Sequence, residues 1–111
     1  MRAIQWSFDA RSDLVEIVSY IKENSGAKIA KEIYDRIQGK VTKAADYPEG
    51  YRVAPELQEI GVFEVREIIE SPWRIFFRSS SNELRIISVI DGRRNVEEIL
   101  YKKMLEGKLK S

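Results

Sequence analysis

The 111-residue sequence contains neither cysteine nor histidine. Without cysteine there is no disulfide, no thiolate nucleophile and no sulfur-ligated metal, so packing must hold the fold. Without histidine the side chain most often used as a general base near neutral pH is missing, which excludes triads of the Ser-His-Asp and Cys-His types. Any catalysis falls to Glu, Asp, Lys, Arg or Tyr, which need strong pKa tuning to act as acid or base. Neither a cofactor nor a metal is expected. Long apolar runs are also lacking, so no membrane span is expected, and the opening MRAIQWSFDARSDL lacks the apolar stretch of a signal peptide. The expected location is the cytoplasm. A formal net charge of +1 gives no bulk field, so recognition of an anionic partner would need a local patch.

What is present is a charge-rich globular mixture, 43% apolar and 33% charged, with enough apolar surface to offset chain entropy. The length predicts one domain over residues 1–111. A short strand is expected over Ala3 to Trp6. Ser7 is a good N-cap, and Ala10, Leu14, Ile17, Val18 and Ile21 recur at helical spacing until NSG at Asn24–Gly26 ends the helix. Ala27, Ala30, Ile33, Ile37, Val41 and Ala44 form a second such series that stops before Pro48, completing a helical hairpin. YPEGYRVAPELQEIG has no clean period and reads as a loop. VFEVREII, WRIFFR and ELRIISVI are rich in β-branched and aromatic residues and are separated by the turn clusters ESP and SSSN, which predicts an antiparallel meander. Asn95 with Glu98 three residues on is a capping pattern; Val96, Ile99, Leu100 and Met104 then give the apolar stripe of a last helix, and Gly107 would close it. The remaining polar tail is expected to fray. The fold class is therefore α+β: an N-terminal strand, a helical hairpin packed on an antiparallel sheet, and a short C-terminal helix.

The residues that invite a functional reading are arginines of the sheet half. Arg74 and Arg78 share one strand face while Ile75 and Phe77 share the other; if the latter pair meets the helices, the arginines face water. An open face with several guanidinium groups suits a phosphate or an acidic protein surface. The bland alternative is a solvated strand face neutralised by Glu64, Glu67 and Glu83. Arg66 depends on the turn: with the two residues Ser71 and Pro72 it lies opposite Phe77 and away from Arg74, and with three it joins Arg74. Arg93 and Arg94 follow a glycine turn at a strand end and precede a helix start, so each can reach toward a ligand, or else pair with Glu97 or Glu98. Trp73 and Tyr101 could stack on a base, although aromatics at such positions are more often core.

Taken together, ARSDLVEIVSYIKENSG, YPEGYRVAPELQEIGVFEVREI, SPWRIFFR and SVIDGRR, in this order and spacing, resemble the first helix, proline-bearing loop, aromatic-Arg-Ile hairpin and closing strand of the ParE/RelE toxin superfamily of bacterial type II toxin-antitoxin modules. The resemblance covers nearly the whole chain. It implies a small toxin held silent by a cognate antitoxin in a toxin-antitoxin hetero-oligomer, without a membrane role. Within the superfamily the ParE-like branch inhibits DNA gyrase, and the RelE-like branch cleaves messenger RNA on the ribosome. This sequence departs from the ribonuclease pattern, with Ile69 where that branch carries an arginine, Glu56 and Glu59 in place of a lysine-rich approach, Leu100 in the ungapped position of a last-helix tyrosine whose nearest counterpart is Tyr101, and Asp91 at the typical histidine.

RNA cleavage would need a group to activate the ribose hydroxyl, one to protonate the leaving oxygen, and cations for the extra phosphate charge. Arg66, Arg93 and Arg94 could supply the last; Glu56, Glu67 or Tyr101 could supply the first two. The noncatalytic ParE-like reading ranks first, with Arg66, Arg74, Arg78, Arg93 and Arg94 as target-binding residues. The ribonuclease is the alternative, with Arg66, Arg93, Arg94, Glu56 and Tyr101 as its site, and a toxin-like module that has kept only its binding is the third reading.

Overall fold

The computed structural model describes residues 2–110. Ser111, the end of the polar tail, lies outside them. Strand β1 (Ala3–Trp6) leads into α1 (Phe8–Ser25) and α2 (Ala27–Asp46); after a single 3-10 turn at Pro48–Gly50 and the four-residue helix α3 (Pro55–Gln58) come β2 (Arg66–Glu70), β3 (Trp73–Ser79) and β4 (Glu83–Asp91), and α4 (Val96–Leu105) closes the order. Local signals act as their chemistry dictates. The Ser7 hydroxyl accepts the Ala10 N–H at 3.0 Å, and Asn95 Oδ1 accepts that of Glu98 at 3.1 Å, each satisfying one donor that a helix start leaves orphaned. Gly26, at φ 93°, makes the corner between the hairpin helices in a backbone region that side chains disfavour.

The sheet has four strands in the order β1-β4-β3-β2. The three sequential strands form the expected antiparallel meander, and β1 joins it by pairing parallel to β4, with Ala3 opposite Glu83 and Trp6 opposite Ile86. The turn after β2 is the two-residue Ser71-Pro72 version: Arg66 lies opposite Phe77 and Ile69 opposite Arg74. Arg66 and Arg74 therefore occupy opposite faces. Regular pairing in β2 starts only at Arg66, because the residues before it pair outward instead: Val53 forms an isolated bridge with Arg66, and the Val65 carbonyl accepts the Ala54 N–H.

Two cores flank this sheet. On one face Leu14, Ile33, Ile37 and Val41 of the hairpin meet Ile68, Ile75, Phe77, Leu84 and Ile86. On the other Leu57 of α3 and Val96 and Leu100 of α4 meet Phe76, Ile87 and Ile90. Three expectations are corrected here. The face carrying Arg74 is not open to water, because α3 and α4 cover it: Phe76, the residue between the hairpin-facing Ile75 and Phe77, is a second apolar anchor. The segment read as a plain loop holds α3, whose Leu57 is fully buried. The tail does not fray as far as Leu109, which is 4% exposed in the second core after the chain reverses at Gly107, φ 74°.

Candidate functional site

The Arg93–Arg94 corner is built by the end of β4. The Gly92 N–H donates to the Pro72 carbonyl at 2.7 Å, and a Cβ on Gly92 would sit 3.1 Å from that same oxygen and 3.4 Å from Arg74 Cδ, a tight fit that glycine relieves. Asp91 then organises the turn. Its Oδ1 accepts both the backbone N–H of Arg93 (2.9 Å) and its Nε (3.0 Å), while Oδ2 accepts Nη2 at 2.6 Å. Hydrogen bonding to Arg93 holds the Asp91 carboxyl below its ordinary range and raises the guanidinium. Arg93 thus pairs with Asp91, two residues back, and not with Glu97 or Glu98; its side chain stays 77% exposed. Arg94 is exposed beside it. Both line a groove of about 600 Å³ between α1 and the strand ends, floored by Ile17, Ile21, Trp73 and Val89.

The other expected site residues lie elsewhere. Arg74 points under α3, where Nη1 and Nη2 donate to the two Glu56 oxygens at 2.7 and 2.8 Å. Its Nε and Nη2 donate to Glu67 at 2.6 and 2.9 Å, and Arg52 Nε reaches the same carboxylate at 2.7 Å. The Arg74 guanidinium lies 5.1 Å from the Phe76 ring centroid, within cation–π range. Bonding to Glu56 and then Glu67 raises Arg74 well above its ordinary pKa, and bonding to Arg74 lowers Glu56. Both partners are consumed in structure, so Arg74 is not free to bind an anion and Glu56 is a poor proton acceptor.

Arg66 is on the hairpin face, donating to the Tyr51 carbonyl. Arg78 pairs across from Arg85 near the far end of the sheet, six residues along β4 from Asp91, which puts it roughly 20 Å from the Arg93 corner. Tyr101 is half buried in the second core, its hydroxyl 3.4 Å from the Glu56 carbonyl oxygen. Loss of solvent, followed by Glu97, Glu59 and Glu56, pushes that hydroxyl above its ordinary pKa, away from a role as base near neutrality. The structure therefore brings Arg93 and Arg94 together, sets Glu56 beside Tyr101 and Arg74, and separates Arg66 and Arg78 from both.

One polar cluster escaped the sequence reading. Lys103 of α4 bonds Asp9 and, at 3.0 Å, Asp13 of α1; Asp13 Oδ2 also accepts the Ser88 hydroxyl (3.1 Å) and the Val89 N–H (3.0 Å), which lies on β4 beyond the end of β1. A side chain completes the sheet edge there. The i, i+4 spacing of Asp9 and Asp13 was the available signal, and their shared lysine lies far along the chain. Burial is the main cause that raises Asp13 above 3.8, opposed by the Val89 N–H and Lys103 and assisted by Asp9. The native state then binds more protons than the unfolded chain just above that value, so stability contributed by Asp13 grows as pH falls through its native pKa. Measured against Asp13→Asn, which keeps an acceptor for Val89, the parent protein should gain urea stability between about pH 7 and pH 4; a difference that is flat or reversed in sign would contradict this linkage.

Comparison with known proteins decides the family. Residues 4–96 match the model of the "ParE toxin of type II toxin-antitoxin system, parDE". This chain belongs to the ParE toxin family. Among curated relatives, Toxin ParE3 of Caulobacter vibrioides is 27% identical over 92 residues, covering 82% of this chain and 87% of that protein. A solved chain of the chromosomal ParDE toxin-antitoxin system from P. aeruginosa shares the fold at a TM-score of 0.67 and 22% identity, covering 82% of this chain and 96% of that one. The ParE-family match takes in the hairpin, the sheet from the second residue of β1 onward and the Arg93–Arg94 corner, and stops at the first residue of α4. No helix among the described residues is long and apolar enough to cross a membrane.

Proposed function

We propose that this ParE-family toxin acts in the cytoplasm by binding and inhibiting a target, DNA gyrase being the one implied by the branch it resembles, and that a cognate antitoxin neutralises it in a hetero-oligomer. The observation that carries the reading is the exposed Arg93–Arg94 pair, set on a groove that Ile17, Ile21, Trp73 and Val89 line together with Asp13, Glu16 and Asp91, by a turn that bonds from Gly92 and Asp91 hold. Preorganised arginine beside apolar and aromatic surface is the composition of an interface hot spot. The ribonuclease alternative is disfavoured because the residues available to it lie on separate surfaces, with Glu56 tied to Arg74 and Arg66 across the sheet.

The test is induced expression of the parent chain and of an Arg93→Ala, Arg94→Ala double variant, with and without the neighbouring gene, followed by purified-gyrase supercoiling assays. The double variant should lose growth inhibition and bind gyrase about 30-fold more weakly, as truncation of a hot-spot pair does, with its melting temperature unchanged because both side chains are exposed. Full toxicity in the double variant would remove the corner from the mechanism. Ribosome-dependent transcript cleavage by the parent would instead establish the endoribonuclease.

A further inference from the structure

Strand β1 ends the sheet beside β4, and nothing among the described residues pairs with its outer side. The Ala3 N–H donates to the Asn82 carbonyl at 3.0 Å and the Ser7 N–H to that of Ile86 at 2.9 Å. Ala3, Gln5 and Ser7 therefore direct their backbone groups to β4, and the alternation of a strand turns the N–H and C=O of Ile4 and Trp6 outward. Natural sheets usually guard such an edge with a charge, a proline, a bulge or a covering segment. The strand AIQW has neither charge nor proline, and its pairing with β4 is regular from Ala3 to Trp6. Only its shortness protects it.

The hairpin side of this edge offers apolar surface. Ile4 and Trp6 turn their side chains toward the hairpin core, and both are only partly buried against it. Beside Trp6 a groove of about 440 Å³ opens between α1 and α2, walled by Leu14, Val15, Val18 and Tyr34; its polar members are Ser19, Gln38 and Arg11, the last its single charge. Phe8, Arg11 and Val15 stand on one stripe of α1 by their spacing, and Phe8 and Val15 are 89% and 59% exposed. Apolar side chains thus continue from the end of β1 along the helix that follows it.

We infer that β1 is a self-association edge, pairing antiparallel with β1 of a second copy of this chain about a two-fold axis at Gln5. In that register Ile4 of one copy lies opposite Trp6 of the other, and each donates and accepts across the junction. A shift by two residues would set Trp6 opposite Arg2, or Ile4 opposite Phe8, outside the strand in either case. A second copy is the occupant the edge favours, because a strand without charge gives a partner of either sign nothing to read and pairs with itself without like-charge contact. The arrangement is isologous, so it closes at a dimer and joins the two four-stranded sheets into one. Its groove shares no residue with the one beside Arg93 and Arg94, so either surface can fail without the other.

The test uses the purified full chain in sedimentation equilibrium, where a dimer should appear at concentrations on the order of 100 µM, as a small interface allows. Gln5→Lys and Gln5→Glu each set like charges opposite one another at the axis and should weaken dimerisation roughly tenfold at low salt. An equimolar mixture of the two variants should associate better than either alone. Gln5 is exposed, so neither change should move the melting temperature. The chain has no cysteine, so Gln5→Cys supplies a single thiol, and the spacing of about 4.5 Å between Cα atoms in such a non-hydrogen-bonded pair suits a disulfide. That variant should cross-link under mild oxidation much faster than Ile69→Cys at the opposite edge of the sheet. A parent chain that stays monomeric at millimolar concentration, a charged mixture no better than its components, or equal cross-linking of the two thiol variants would each overturn the proposal. A monomer whose Ile4 and Trp6 amides gain exchange protection only with the product of the neighbouring gene would assign the edge to that protein instead.

Discussion

Phe76→Ala is expected to cost about 4 kcal/mol, the usual loss for truncating a fully buried phenylalanine and leaving part of its cavity unfilled. Phe76 has no exposure and packs in the core shared by α3, α4 and the sheet. The loss should therefore be felt unevenly. Amide exchange in α4 should accelerate well before that of α2, whose Ile33, Ile37, Val41, Ala44 and Ala45 belong to the opposite core with Phe77. Phe77→Ala, of the same chemistry and the same burial, should cost a similar amount and loosen the hairpin first. Urea denaturation gives the size and exchange gives the location; unchanged α4 protection in Phe76→Ala would show that the second core does not hold that helix.

Arg74→Ala should remove about 3 kcal/mol, because the buried Glu67 carboxylate would keep only Arg52 as a partner and Glu56 would lose both of its ion-pair bonds. For a chain of this size that is a fall of roughly 12 °C in melting temperature. Arg74→Met combined with Glu56→Gln and Glu67→Gln should recover much of the loss, since removing the charges together avoids stranding one of them. A single Arg74→Ala variant as stable as the parent would mean the network contributes little. The distinction bears on function: a drop in toxicity in Arg74→Ala that the triple replacement reverses marks Arg74 as structural, and one that persists in a stable triple variant marks it as a contact to the target.

Much of the architecture was legible because it is written in local periodicity. The stripe Ala30, Ile33, Ile37, Val41 is spaced for one helix face and is buried along its length. Ser7 and Asn95 cap helices because a side-chain oxygen there meets N–H groups that have no other partner. What could not be read was the second face of the sheet. WRIFFR presents Ile75 and Phe77 on one side and Phe76 on the other, and a strand with apolar residues on both sides is buried on both. The arginines flanking Phe76 drew attention to water when the phenylalanine itself indicated a second packed layer. β4 added to the difficulty: its register with β3 shifts between Phe76 and Phe77, so simple alternation does not carry through the strand.

The candidate site divides in the same way. Arg93 and Arg94 could be singled out because a glycine turn between a strand and a helix cap is a sequence-local arrangement. The fate of Arg74 could not, since Glu56 is 18 residues away and Glu67 is 7 away on the neighbouring strand. Nor could the bond from Lys103 to Asp13, which spans 90 residues.

Residue order alone determined the two long helices, the meander and the last helix, and that no thiol or imidazole chemistry is available, because each of these follows from the side chains of near neighbours; α3 and the late start of β2 at Arg66 did not follow from it. Tertiary structure decided which arginines remain exposed, which face of the sheet is dry, and that β1 lies parallel beside β4. Those outcomes depend on where charges and apolar surfaces from distant parts of the chain meet, and burial is what turns such a meeting into a fixed ion pair or a core.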